Sequence, residues 1–304
     1  MIRLGASASP DFAVPASSRK RWPVTLKVAA LALACGVLPT RAFAQQRPLV
    51  TEDPETIGTG RVLVEGGLDY AGDVVYPASG LEGTLLRFPL IGFSIGVSSI
   101  AEIQIDGGLY NRLSITSRDP APLAHVVTAS GSTTSDVEDI VIGTKVRIAS
   151  EGVRRPAFGF RFATKLPNAG NESGLGLDTT DFVASVLIGK TTRSVRIVGN
   201  IGLAILGDPT VGDRQNDELA YGLSFARALT DAVEVVGEIN GRINSRNGRP
   251  PPGTESRSML RLGTRYTVSG WRGDAALLVG LTNVDPGIGV AAGFTYVFDA
   301  FNVP

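Results

Sequence analysis

From about residue 60 onward, the sequence alternates apolar residues with polar or small ones in stretches of about ten residues. In residues 232–245, Val233 and Val235 fall on one face of a strand, whereas Glu234 and Glu238 fall on the other, because strand side chains alternate between faces. The charged side chains of the second face would be unfavourable in the dry core of a soluble protein, and they would be unfavourable in lipid. The pattern therefore predicts an all-β fold, a closed antiparallel up-and-down β-barrel that spans an outer membrane.

Composition agrees with one large barrel. The chain has 304 residues, of which 19% are charged and 37 are glycine. Charge is low for a soluble protein, and the length suffices for one large barrel or two ordinary domains. The sequence contains no run of 18 apolar residues, which argues against a helical membrane protein but not against a barrel, in which every second residue faces lipid.

The amino terminus has the features of a secretory signal peptide. A basic region that ends at Lys27 precedes the apolar run Val28–Leu38, and small residues then lead to Ala44. We expect cleavage between Ala44 and Gln45. An alternative interpretation is a lipoprotein signal that uses Cys35, the single cysteine. If cleavage occurs after Ala44, the mature chain contains no cysteine and needs no disulfide in an oxidising compartment.

These features divide the chain into three parts. Residues 1–44 form the signal, residues 45–58 a periplasmic strap or plug at the barrel mouth, and residues 59–304 the barrel. The signal contains 6 of the 29 basic residues and 1 of the 29 acidic ones, so 23 basic and 28 acidic residues remain, a net charge of about −5. Nucleic acid is therefore not expected as a partner, because phosphate binding favours a basic face.

The alternation predicts twelve strands joined alternately by short turns and long loops, as in outer-membrane barrels. Ten residues at about 3.3 Å each, tilted by about 45°, rise roughly 23 Å, close to the height of about 25 Å of such a membrane's apolar band. We expect long loops at 72–82, 114–135, 167–179, 207–216 and 245–256. The predicted strands are 60–71, 83–96, 101–113, 136–149, 155–166, 180–190, 194–206, 217–228, 232–244, 257–268, 272–282 and 287–298.

The second face of these strands carries charges of both signs, which must line a wet interior or a network of ion pairs because an unpaired charge in a dry environment is costly. One interpretation is a structural ladder of ion pairs, and the other is a selective lining for a solute. Twelve strands lie between the filled eight-stranded barrels and the wide porins, so size does not decide. The predicted lining residues are Glu65, Asp69, Arg87, Glu102, Asp106, Arg161, Lys165, Asp181, Arg196, Asn200, Glu234, Glu238, Arg242, Arg261 and Arg265.

The last strand carries a targeting pattern. Gly293–Phe298 resembles the carboxy-terminal signal of barrel-assembly substrates, with glycine followed by aromatic or apolar residues two apart. It departs from that signal at Ala291, where a polar residue is usual, and in the six residues that follow Phe298. We expect the barrel-assembly machinery to recognise this strand.

Short motifs spread over about 250 residues occur in the same order as in a known family of barrel proteins. With these motifs the chain resembles the MetA-pathway phenol-degradation-type outer-membrane β-barrel proteins, which are described as transporters or porins. The resemblance implies a barrel and an outer-membrane location; it does not carry phenol over as the substrate. The motifs lie at 47–54, 64–67, 164–167, 174–176, 180–182, 221–224, 228–231, 236–238, 280–282 and 293–298.

Other features have simpler interpretations. His125, the only histidine, is expected to be a solvated loop residue and not a catalytic one. Loop 168–181 contains oxygen side chains that calcium could use, but it lacks EF-hand spacing and is expected to be a solvated loop. Gly174–Gly176 indicates a turn, since no helix follows that could bind phosphate. Pro250–Gly253 indicates a stiff external loop. We expect no catalytic residue, metal or cofactor.

Two functions fit these expectations. The first is a passive, substrate-selective channel for a small solute that is aromatic or hydrophobic. The second is a plugged barrel with a structural or surface-interaction role, and a barrel hydrolase is a third and more remote possibility. The sequence predicts that the protein is not an enzyme, that it resides in the outer membrane of a Gram-negative bacterium, and that its partners are outer-membrane lipid, the assembly machinery and a small solute.

Overall fold

The computed structural model describes residues 47–302, so the predicted signal peptide and its cleavage site lie outside the described residues. Within 47–302, no helix is long and apolar enough to cross a membrane. The helical structure described there is a single 3₁₀ turn at Asn171–Ser173. The same residues form fourteen strands: β1 Arg61–Tyr76, β2 Leu81–Gly96, β3 Ala101–Gly108, β4 Asn111–Arg118, β5 Thr133–Asp136, β6 Val141–Ala149, β7 Ala157–Lys165, β8 Asp181–Thr192, β9 Val195–Gly207, β10 Gln215–Ala228, β11 Val233–Asn244, β12 Arg257–Val268, β13 Trp271–Gly280 and β14 Ile288–Asp299.

These strands close into a twelve-stranded antiparallel barrel, as the alternation predicts. Consecutive strands from β6 to β14 pair with one another, β6 also pairs with β3, and β14 pairs with β1 from Arg61↔Asp299 to Ala71↔Gly289. Strands β3 and β4 together occupy the third position in the wall, and β5 and β6 together occupy the fourth. Closure leaves the ladder of the barrel without a free edge, which matters because unpaired backbone groups are costly in lipid.

The third and fourth wall positions differ from the single strands predicted at 101–113 and 136–149. Residues 90–96 of β2 pair with β3, and residues 81–87 of β2 pair with β4. The break between β3 and β4 lies at Leu109–Tyr110, opposite Phe88–Pro89 of β2. Proline has no N–H to donate to a neighbouring strand, so the ladder is locally interrupted there. The pairing resumes with Leu109 N donating to Pro89 O and Phe88 N donating to Tyr110 O.

The prediction of a long loop at 72–82 is wrong. β1 continues to Tyr76 and β2 begins at Leu81, so the two strands form a long hairpin closed by Pro77–Gly80. A break in alternation hid this continuation: the register shifts between Ala71 and Val74, and Asp73 adopts a positive φ of 55°. A bulge of this kind inserts an extra residue and changes the face on which later side chains lie.

The outward face of the barrel is apolar and exposed. On β7, Phe158, Phe160 and Phe162 are 37–56% exposed, and Trp271 at the start of β13 stacks on Tyr296 of β14 with ring centroids 4.4 Å apart. Monomeric soluble proteins rarely expose continuous apolar surface of this extent. An apolar band with aromatic residues near its ends is the surface that a β-barrel presents to lipid.

Longer loops at the opposite end from Trp271 pack on the β1–β2 hairpin. Ser79 Oγ donates to Gly174 O at 2.7 Å, and Thr134 Oγ1 donates to Ser173 O at 2.7 Å. Leu81 is 1% exposed beneath the loop that contains Gly174. The loop over residues 166–180 is therefore held against the long hairpin and does not extend freely into solvent.

Candidate functional site in the barrel interior

The fifteen predicted lining residues lie on strands of the barrel, and each one forms a polar contact with another of them, with a further strand or with the amino-terminal segment. The pairs within the set include Asp69–Arg87 at 2.5 Å and Lys165–Asp181 at 2.8 Å. Whether they line the path of a solute stays a prediction. The further contacts within the set or with other wall residues are Glu65–Thr295, Glu102–Lys145, Asp106–Arg161, Glu234–Arg265, Glu238–Arg261 and Arg242–Glu218.

Residues 47–57 run through the interior and contact strands all around the barrel. Arg47 pairs with Asp274 on β13 at 3.6 Å, whereas the main-chain N–H of Ile57 donates to Glu102 on β3 at 2.8 Å. Between these ends, Asp53 forms two short contacts with Arg196 on β9, at 2.6 and 2.8 Å. This interior segment, defined as residues 47–57, occupies space that strand side chains alone would leave open.

A buried group of charges joins the interior segment to β3, β6 and β7. Lys145 Nζ lies 2.9 Å from Glu102 and 3.4 Å from Glu52, and its side chain is 1% exposed. Glu52 also pairs with Arg161 at 2.8 Å. Because a buried unpaired charge costs several kcal/mol, each member of this group depends on the others.

Polar side chains of the wall also bind the backbone of the interior segment. Glu238 accepts the N–H groups of Val50 and Thr51 at 2.8–3.1 Å, and it pairs with Arg261 at 2.9 Å. Asn200 accepts the N–H of residue 52 at 2.7 Å and donates to the carbonyl of the same residue at 2.8 Å. These contacts replace, for residues 50–52, the strand pairing that an extended segment inside a barrel lacks, and they satisfy backbone groups that would otherwise be buried without partners.

Inward-facing glycines make room for the interior segment. A Cβ at Gly222 would lie 2.7 Å from Thr51 Oγ1, and one at Gly159 would lie 3.2 Å from Pro54 Cβ. At Gly293 a Cβ would collide with the guanidinium of Arg47. The wall is therefore shaped for this segment, because a side chain at any of these positions would displace it.

Beside the interior segment lies a cavity of about 360 Å³, bounded mainly by β1, β2, β3 and the break between β5 and β6. Its volume is within the range of small-molecule sites, about 300–1,000 Å³. Apolar side chains, including Leu49, Leu90 and Val141, line it together with carboxylates and guanidinium groups. The charged residues that line it are Arg47, Glu52, Glu65, Asp69, Arg87, Asp106, Glu138, Asp139, Arg161 and Arg261.

Several interior charges were absent from the predicted set. Lys145 on β6 and Asp274 on β13 are buried, and Glu138 lies in the break between β5 and β6. The two-residue period would have identified both strand residues. Lys145 lies on the same face of its strand as Gly143 and Arg147, and Asp274 lies on the same face as Arg272. No periodic signal could have found Glu138, because it follows an interruption of the alternation.

The other features noted in the sequence lie in loops, apart from Asp181, which begins β8 and belongs to the predicted lining. His125 is exposed, with Nδ1 3.0 Å from Pro122 O. Asp181 of the oxygen-rich loop pairs with Lys165, and no group of three or more His, Cys, Asp or Glu within 47–302 is placed to hold a metal ion. Gly174 has a φ of 78° and ends the 3₁₀ turn, which agrees with a turn at Gly174–Gly176.

Comparisons with known proteins relate the fold to outer-membrane barrels. No family model matches the sequence, and no curated protein matches it. Among solved structures, the COG4313 outer membrane channel from Pseudomonas putida F1 is similar with a TM-score of 0.59 and 11% identity, over 81% of this chain and 98% of that chain. The toluene transporter TodX from Pseudomonas putida has a TM-score of 0.39 and 12% identity, over 82% and 92%. At such identities the similarity establishes the fold alone.

One expectation needs correction. The prediction that the protein is not an enzyme is wrong as an exclusion, because solved barrels that resemble this fold include an outer-membrane enzyme, LpxR from Salmonella typhimurium. That structure has a TM-score of 0.41 and 8% identity, over 77% of this chain and 100% of that chain. The fold by itself does not show whether the protein is an enzyme.

Proposed function

We propose that this protein is an outer-membrane channel that passes a small solute, aromatic or hydrophobic in part, beside a fixed interior segment. The observation that supports the proposal most is the cavity of about 360 Å³ between residues 47–52 and the β1–β3 wall. Pores select by the diameter and the charged groups of their lining. A lining that combines apolar residues with paired charges suits a solute with an apolar body and a polar group.

The similar solved structures support the class of solute. One is described as an outer membrane channel and another as a toluene transporter. The described chain adds an apolar exterior and a charged interior, the combination that a passive membrane channel requires. The resemblance to the MetA-pathway barrels supports the same class, with the substrate left open.

The channel is tested by reconstituting the folded protein in planar bilayers and recording conductance in potassium chloride. We expect small, discrete steps, since the interior segment leaves a narrow path. A matched variant in which residues 47–52 are replaced by a glycine–serine linker removes their side chains and should give larger steps. If neither protein conducts, although both show the heat-modifiable gel shift of a folded barrel, the channel proposal is rejected.

A second candidate is a plugged barrel with a structural or surface-interaction role. The contacts of residues 50–57 with Glu238, Asn200, Glu102 and Arg196 favour it, because they fill much of the interior. This candidate predicts no conductance from the wild-type barrel and conductance only from the glycine–serine variant.

We further propose residence in the outer membrane of a Gram-negative bacterium, after export by the signal peptide, with assembly through β14. Phe294 and Phe298 are exposed on the outward face of that final strand. Removal of residues 293–304 should leave the protein in periplasmic aggregates, and a wild-type barrel that carbonate extracts from membranes would contradict the location.

A further inference from the structure

The cavity beside the interior segment has an uneven balance of charge. Six carboxylates and four guanidinium groups line it. Two of the guanidinium groups are also committed to carboxylates that do not line it: Arg47 pairs with Asp274, and Arg261 pairs with Glu238. Lysines outside the lining in turn pair with two of the lining carboxylates, Lys145 with Glu52 and Lys165 with Asp139. Whether the cavity attracts a cation therefore depends on a lining carboxylate that lacks a close partner.

Most of the lining carboxylates are neutralised by close partners. Arg87 lies 2.5 Å from Asp69 and 2.8 Å from Glu138, and Lys165 lies 3.2 Å from Asp139. Such short contacts leave little of these charges for a ligand.

Asp106 differs from these carboxylates. Its contact with Arg161 is 4.0 Å long, and that guanidinium forms shorter contacts with Glu52 at 2.8 Å and with Gln104 at 2.7 Å. The Asp106 side chain is 41% exposed, whereas those of Asp69 and Asp139 are 12% and 14% exposed. Asp106 is thus the lining carboxylate that is most available to a ligand.

The strand next to Asp106 leaves space for its carboxylate. Gly92 on β2 is the strand partner of Asp106, and a Cβ at that glycine would lie 2.8 Å from the Asp106 Oδ1 atom. Leu90 and Val141 lie in the same cavity lining and supply an apolar surface beside the charge. Charge and apolar surface together form an amphipathic site.

We infer that this cavity binds a small organic cation, with its ammonium group against Asp106 and its apolar body against Leu49, Leu90 and Val141. This inference rests on the proposed function, because it assigns a chemical class to the solute that the channel would pass. The solute class is then an amine that carries an aromatic or short alkyl group.

The inference is tested with two permanently charged probes of similar size, benzyltrimethylammonium and benzenesulfonate. Binding is measured by titration calorimetry on the folded barrel in detergent, and block of potassium chloride current is measured in planar bilayers. We expect the cation to bind about tenfold more tightly than the anion, as a single partly hydrated charge interaction allows. Asp106→Asn should remove most of that preference, while Asp217→Asn, which changes an exposed carboxylate on the outer face of β10, should not.

A second variant tests the geometry. Gly92→Ala retains the Asp106 charge but displaces the carboxylate, so it should also weaken binding of the cation. Equal affinity for both probes in the wild type, or an unchanged preference in both variants, would overturn the assignment. Because calorimetry does not require transport, a barrel that binds the cation without conducting would reject the channel and keep the site. A barrel that conducts without preference would reject the site and keep the channel.

Discussion

The barrel interior has two regions along the inward face of β3, a buried side at Glu102 and a cavity side at Asp106, which contain the same types of residue and differ in what neutralises them. On the buried side, Lys145 and Glu102 are almost completely buried and depend on Glu52 of the interior segment. On the cavity side, Asp106 on β3 and Arg87 on β2 face a cavity and remain partly exposed. The comparison teaches that an inward charge on a barrel strand becomes structural or accessible according to whether residues 47–57 reach it.

The largest effect is expected from removing a charge on the buried side. Lys145→Met should destabilise the barrel by about 3–5 kcal/mol, because it leaves Glu102 and Glu52 buried together without their shared cation. Urea unfolding in lipid vesicles, followed by the fluorescence of Trp271, measures this change. Lys190→Met removes a partly exposed pair with Glu151 and is the control, with an expected loss of no more than about 1 kcal/mol. Equal losses in the two variants would contradict the larger cost assigned to the buried charge at Lys145.

A smaller effect is expected from crowding the interior segment. Gly222→Val should cost about 1–3 kcal/mol, since the added atoms meet Thr51 in a closely packed space. At Gly273 a Cβ meets no atom within 4 Å, so Gly273→Val should leave the unfolding midpoint nearly unchanged. A neutral Gly222→Val would show that the segment is not seated against β10.

On the cavity side, Arg87→Gln should cost only about 1 kcal/mol, because its ion pairs with Asp69 and Glu138 are partly exposed to the cavity. The same change frees two carboxylates and should increase the preference for potassium over chloride in reversal-potential measurements. A loss of stability as large as that of Lys145→Met would show that the cavity side is also structural.

The smallest effect concerns the turn at the end where β7 begins. Burial by itself would raise the pKa of Glu151, but hydrogen bonds from Thr191 and Lys190 and the charge of Arg196 hold that pKa below its ordinary value. The stabilisation is therefore present above the unfolded-state pKa and is lost as pH falls through the lower folded-state pKa. Glu151→Gln should be slightly less stable than the wild type at pH 7, and the difference should vanish in acid. A difference that grows in acid would contradict this sign.

Local alternation predicted the strands that continue without interruption. Strands β7 to β12 lie within a few residues of their predicted ranges, because one face meets lipid along their whole length. The alternation failed at Asp73, Pro89 and Glu138, where bulges and breaks change the face on which side chains lie. The interruptions at Pro89 and Glu138 adjoin the cavity, whose lining includes Leu90 and Glu138, so the sequence predicted this part of the site least well.

The sequence by itself determined the barrel and its twelve wall positions, because a period of two residues separates an apolar face from a face for polar contacts; it also predicted a set of charges on the polar face. Only the tertiary structure decided which of those charges are satisfied. Asp53 meets Arg196 across 143 positions of the chain, and Arg47 meets Asp274 across 227. Contacts at such separations leave no periodic trace in the sequence, since they depend on the path of residues 47–57 through the closed barrel.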